Sequence, residues 1–130
     1  VVEIAQNLAG PYAAEILGML GAEVVKIERP EGDDARGWGP PFFEDIATSF
    51  HSVNRNKRSV ALDLKDARAV AWLTEFVRGQ DILVQNMRPG SLEAMGLGAE
   101  ALRAINPRLI YCNLHGFGAR GPKALHPGYE

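Results

Sequence analysis

Short apolar runs alternate with helical patterns along the whole chain, and this alternation limits the fold more than any other feature. Val1 to Ala5, Glu23 to Glu28, Ser59 to Leu64, Asp81 to Gln85 and Arg108 to Asn113 read as strands. Val60, Leu62 and Leu64 alternate within the third of them. Between the strands, Pro11 to Leu20 puts Ala13, Ile16, Leu17 and Leu20 on one helical face, with Gly21 just past the end. Asp66 can cap a helix to Arg78 that carries Val70, Leu73, Phe76 and Val77 inward, and Gly79 ends it. Two shorter helices fit Ser91–Met95 and Ala99–Ala104. Arg29 to about Ala47 reads as a loop rich in Pro, Gly and Asp. Strands separated by helices require crossovers, so the expected fold is α/β, a mostly parallel sheet with helices on both faces.

In such sheets ligands bind at the carboxyl ends of the strands. The loops there are Gln6–Gly10, Arg29–Trp38, Asp63–Lys65, Gln85–Gly90 and Leu114–Glu130, and they hold most of the unusual polar residues. Gly10-Pro11 opens a helix whose free N–H groups suit an anion. Arg29 follows the second strand, and Asn86-Met87-Arg88-Pro89-Gly90 follows the fourth. The run Val53 to Lys65 adds Arg55, Lys57 and Arg58 in a turn ahead of the third strand. That run reads either as a solvated turn or as part of a polyanion site. On the second reading Arg29, Lys57, Arg58, Lys65 and Arg88 surround one end of the sheet.

Bulk properties narrow the ligand class. The 130 residues carry a net charge of -2, which argues against nucleic-acid binding by bulk charge and makes any anion site local. Cys112 is the single cysteine, so no intrachain disulfide forms; a structural thiol in a buried strand and a reducing cytoplasm are expected. No apolar run approaches the roughly 20 residues that span a bilayer, and no signal peptide is evident. Both ends look cut, as in a piece of a longer enzyme. The glycine fingerprint of NAD and FAD sites is missing, as are a Walker loop and a G-x-S-x-G elbow. His51, His115 and His126 lack the spacing of zinc ligands and read as surface or loop residues.

A series of segments in order resembles the N-terminal part of the family III CoA-transferases, the group that includes formyl-CoA transferase, carnitine CoA-transferase and alpha-methylacyl-CoA racemase. The segments are Leu8-Ala9-Gly10-Pro11, Leu20 to Glu28, Asn54 to Ser59, Leu62-Asp63-Leu64-Lys65, Asn86 to Gly90, Asn106 to Tyr111, and Gly116-Phe117-Gly118 with Gly121-Pro122. The resemblance implies a large Rossmann-like domain of which residues 1–130 form the N-terminal part. It implies a CoA thioester as substrate, no permanently bound cofactor, and an interlocked homodimer. CoA binding would fall on Leu8, Ala9, Arg29, Leu62, Asp63, Leu64, Lys65, Asn86, Met87 and Arg88, with cations holding the phosphates. Trp38, Tyr129 and Glu130 would line the active site, though Trp38 also suits a loop anchor packed on Phe42 or Phe43.

In the transferase branch an aspartate attacks the acyl-CoA thioester, forms a mixed anhydride, and then carries CoA as an aspartyl thioester to the acceptor acid. The family's aspartate lies beyond Glu130, so no catalytic residue is assigned within this chain. The racemase branch uses a histidine in a Gly-His-Asp segment; here the match is Gly128-Tyr129-Glu130. A phenol of ordinary pKa near about 10 is a poor base at neutral pH, which favours transfer over racemisation. Leu8 and Pro127 replace a glutamine and a lysine of the formate-specific enzyme, so formyl or oxalyl specificity is not implied. A stand-alone CoA- or nucleotide-binding module, without catalysis, is the reading from a different class.

Overall fold

The computed structural model describes residues 1–126 and Gly128. Its centre is a five-stranded sheet of β1 (Val2–Ile4), β2 (Val24–Glu28), β5 (Lys57–Ala61), β6 (Ile82–Gln85) and β7 (Ile110–Asn113). The order is β5-β2-β1-β6-β7 and every pairing is parallel. The strand order reverses between β1 and β6, which opens a crevice above their carboxyl ends. Helix α1 (Ala9–Met19) connects β1 to β2, and α3 (Ala67–Val77) connects β5 to β6. Helices α4 (Ser91–Ala94) and α5 (Ala99–Ile105) connect β6 to β7.

Local chemistry accounts for the helix ends. The Asp66 carboxylate accepts from the Arg68 N–H at 2.8 Å and caps α3. Gly21 ends α1 at φ +101, where a side chain would be strained. Residues 29–47, expected as plain loop, contain a 3-10 turn (Asp34–Gly37) and a hairpin of β3 (Phe42–Phe43) with β4 (Ile46–Ala47), followed by α2 (Thr48–Ser52). The Asp33 carboxylate caps the 3-10 turn by accepting from the Ala35 N–H.

Register assigns side chains to the two faces. Val2, Ile4, Ile27, Leu83 and Tyr111 pack with Leu73 and Val77 of α3, Leu92 of α4 and Leu102 of α5 in the apolar core. Glu3 lies beside Lys26 in register and falls on the other side of the pleat, under α1. There the expected inner face of α1 is corrected. Its buried residues are Gly10, Pro11, Ala14, Glu15 and Gly18, whereas Ile16 and Leu20 are exposed and Ala13 and Leu17 half-buried. Close approach of helix to sheet selects small residues: a Cβ on Gly10 would lie 2.4 Å from the Ala5 Cβ.

Two further expectations are corrected. The third predicted strand forms earlier, at Lys57–Ala61, so Leu62 to Lys65 form the turn that leaves it. Cys112 is half-buried on the edge strand β7, whose Ile110 is exposed, so that strand is not fully buried.

Candidate functional site

The crevice holds two adjoining cavities. The first, of 480 Å³, lies over the ends of β1, β2 and β5 and is lined by Arg29, Leu62, Asp63, Leu64, Lys65 and Met87, among others. The second, of 860 Å³, lies over β1 and β6 and is lined by Ala9, Trp38, Asn86, Met87 and Arg88, together with Asp34, His115 and His126. Gln6 and Met87 border both. Most residues expected from the sequence thus meet at one end of one sheet. Leu8 stands apart from both linings, exposed at the position preceding α1. Tyr129 and Glu130 lie outside the described residues.

The cations divide. Arg29, Lys65 and Arg88 reach the carboxyl ends of the strands. Lys57 and Arg58 begin β5, and in a parallel strand the preceding turn lies at the amino end, so they do not join that rim. Lys57 is instead almost fully buried, 2.7 Å from Glu3 and donating to the Pro11 and Val53 carbonyls. Burial pushes its pKa down, opposed by the Glu3 charge. Arg55 donates to Glu15 on α1 at 2.6 Å. Within the charge run, Arg55 and Lys57 therefore pair beside α1, at the opposite end of the sheet from the crevice.

Each loop of the crevice has its own support. The Arg29 guanidinium donates to the Gly32 carbonyl at 2.9 Å and to the Asp34 carboxylate, which holds it over its own loop in an exposed pair. Such a pair is weak in water and yields readily to a multiply charged anion. Asp63 accepts from the Lys65 N–H at 3.0 Å and folds residues 62–65 into a tight turn. Ser91 N–H donates to the Arg88 carbonyl at 3.0 Å, with Gly90 at φ +87 completing that turn. No side chain caps α1, and Ala9 of its first turn lines the second cavity.

Beneath these loops lies a set of buried ions. The Glu28 carboxylate accepts from Arg36 at 2.7 and 2.8 Å, from Ser59 at 2.5 Å and from the Asp33 N–H at 2.9 Å. Burial alone would raise its pKa, but these bonds and the Arg36 charge hold it down at about 2. The same pairing raises the pKa of Arg36, whose guanidinium also sits 4.0 Å over the Phe50 ring. Lys26 bonds Glu3 at 2.8 Å and pairs with Asp33 at 3.0 Å, all three almost fully buried.

Sequence reasoning did not single out Gln6, Lys26 or Asp33, and it treated His115 and His126 as filler. Gln6 and both histidines line a cavity. The available signal was position alone, since Gln6 and His115 lie in loops already marked as strand ends. Trp38 is exposed and lines the second cavity, with no ring stacking on Phe42 or Phe43 among the described residues. No group of three or more His, Cys, Asp or Glu among the described residues could hold a metal ion. No helix among them is long and apolar enough to cross a membrane.

Comparison with known proteins bears on what this crevice accepts. The family model described as CoA-transferase family III matches residues 1–130. Succinyl-CoA:glutarate CoA-transferase of Mus musculus is 47% identical over 131 residues, a match that covers 100% of this chain and 30% of that protein. Succinate–glutarate CoA-transferase of Agrobacterium fabrum is 44% identical over 137 residues and is covered to 34%. A crystal structure of a CAIB/BAIF family protein from Brucella suis superposes with a TM-score of 0.94 at 45% identity, covering 98% of this chain and 35% of that one. The chain thus spans about a third of the proteins it matches.

Proposed function

The chain belongs to CoA-transferase family III, and we propose that the protein containing it moves coenzyme A from an acyl-CoA thioester to a carboxylic acid. The observation that carries this reading is the meeting of Arg29, Lys65 and Arg88 at cavities over the topological switch point. A ligand with a phosphorylated nucleotide at one end and a long neutral arm suits a crevice of two adjoining cavities with cations at its rim. Arg29 and the turn Leu62 to Lys65 would hold one part of it, and Ala9 with Asn86 to Arg88 another. Trp38 would lie near the thioester end. The relatives named for glutarate transfer support a dicarboxylic acid as the acceptor.

In this reading the covalent step belongs to an aspartate outside the chain. Its carboxylate attacks the thioester carbonyl and CoA leaves as thiolate, giving a mixed anhydride. The thiolate then attacks the aspartyl carbonyl, releasing the donor acid, and the acceptor acid takes CoA in its turn. These 130 residues contribute binding and orientation, as the N-terminal part of a larger CoA-binding domain. An interlocked homodimer and a cytoplasmic setting complete the proposal.

The test uses the full-length protein. Arg29→Ala and Lys65→Ala should each weaken CoA binding about tenfold, the loss expected for one charge-assisted hydrogen bond. Unchanged affinity in both variants overturns the site. Incubation of a 2-methylacyl-CoA in deuterated water without acceptor should give no rapid α-deuteration; rapid exchange would mean racemisation in place of transfer.

A further inference from the structure

The turn from Ala5 to Asn7 is held by its backbone to an unusual degree. The Ala5 carbonyl accepts from the Lys26 ammonium at 2.8 Å. The Gln6 N–H donates to the Asn86 side-chain oxygen at 2.9 Å, and the Gln6 carbonyl accepts from the Asn86 amide nitrogen at 2.8 Å. The Asn7 N–H donates to both Asp33 oxygens, at 3.1 and 3.2 Å. Four successive polar groups of the main chain are thus tied to three side chains, and Lys26 and Asp33 are themselves a buried ion pair. Asn7 sits at φ +67 within this bracket, a conformation that asparagine tolerates better than most residues.

The side chain at the middle of the turn is the exception. Among the described residues the Gln6 carboxamide has no hydrogen-bond partner, yet Gln6 borders both cavities. A rigid mount carrying an uncommitted donor and acceptor is the arrangement that orients a ligand, because little order remains to be imposed on binding. The Asn86 carboxamide, by contrast, already accepts one hydrogen bond from the main chain of Gln6 and donates one to it.

We propose that Gln6 is a ligand-contacting residue that hydrogen-bonds the amide-bearing pantetheine arm of the CoA thioester where that arm passes between the two cavities. This rests on the CoA reading above. A neutral carboxamide offers N–H donors and a carbonyl acceptor that match the C=O and N–H of each amide of the arm, whereas the phosphates, which all lie at the nucleotide end of the ligand, call for cations.

The experiment uses the full-length protein, with coenzyme A and adenosine 3′,5′-bisphosphate as probes, the latter keeping the phosphorylated nucleoside and lacking the arm. Gln6→Met and Gln6→Ala should each weaken CoA binding about three- to tenfold, as expected for a lost neutral hydrogen bond. The bisphosphate should bind both variants as it binds the parent, and both should melt with the parent. Equal CoA affinity overturns the proposal. Equal losses for both probes do so too, since contact is then with the nucleotide or the effect is structural, as does lowered melting in both variants. If the unmodified protein binds neither probe, the CoA reading itself fails, a result distinct from loss of the arm contact alone.

Discussion

On the side of the sheet that faces α3, α4 and α5, strand residues Val2, Ile4, Ile27 and Leu83 meet Leu73, Val77, Leu92 and Leu102. On the side that faces α1, Glu3, Lys26 and Glu28, which alternate with those apolar residues, are buried as well. Both faces exclude water, by different means. The first does so by dispersion and apolar burial, which need no particular partner. The second needs every charge answered: Glu3 lies between Lys26 and Lys57, and Glu28 takes Arg36, Ser59 and the Asp33 main chain. The difference bears on how firmly each face fixes the chain next to the crevice. Apolar packing locates a strand, whereas directed bonds locate individual atoms, and the bonds of the polar face extend to the turn that borders the crevice.

Several substitutions would break or sharpen this contrast. The largest loss is expected for Lys26→Met, which removes the cation shared by two buried carboxylates, at about 3–5 kcal/mol; chemical denaturation measures it, and a loss of under about 1 kcal/mol would equate the site with a surface pair. Leu73→Ala should cost about 2–5 kcal/mol by removing core contacts. It should leave CoA affinity alone in protein that remains folded, and a selective fall in affinity would contradict the division between the faces.

Gly10→Ala comes next, at about 1–3 kcal/mol for overpacking. Its new methyl would press on the Ala5 Cβ and lie 3.2 Å from the Asn86 side chain, so lowered CoA affinity should accompany lowered stability. The smallest effect is one of slope. Glu28 has its folded pKa lowered from 4.5 to about 2, so its contribution is complete above 4.5 and fades as pH falls toward 2. Stability measured across that window should decline less steeply in Glu28→Gln than in the parent; parallel curves would remove Glu28 from the account.

How far the sequence reveals each part depends on the range of the interactions. The strands, the Asp66 cap and the glycine ending α1 rest on neighbours within a few residues, and they were legible. The same holds for the strand-end loops, because alternation alone says which loops share an end. Lys57 was misread because its partner Glu3 lies far away in sequence, and a buried ion pair leaves no local pattern. The face of α1 was misread because the surface beneath it is charged and close, which rewards Gly10, Ala14 and Gly18 over the large apolar residues.

The amino acids in their order therefore determined an α/β alternation, the ends of its helices and which loops border the crevice. Tertiary structure alone decided which charges sink beneath α1, which reach the crevice, and that the Gln6 carboxamide has no hydrogen-bond partner among the described residues. The reason is physical. Periodicity records whether a residue prefers to leave water, but a charge is buried or exposed according to partners that only the folded chain brings within bonding distance.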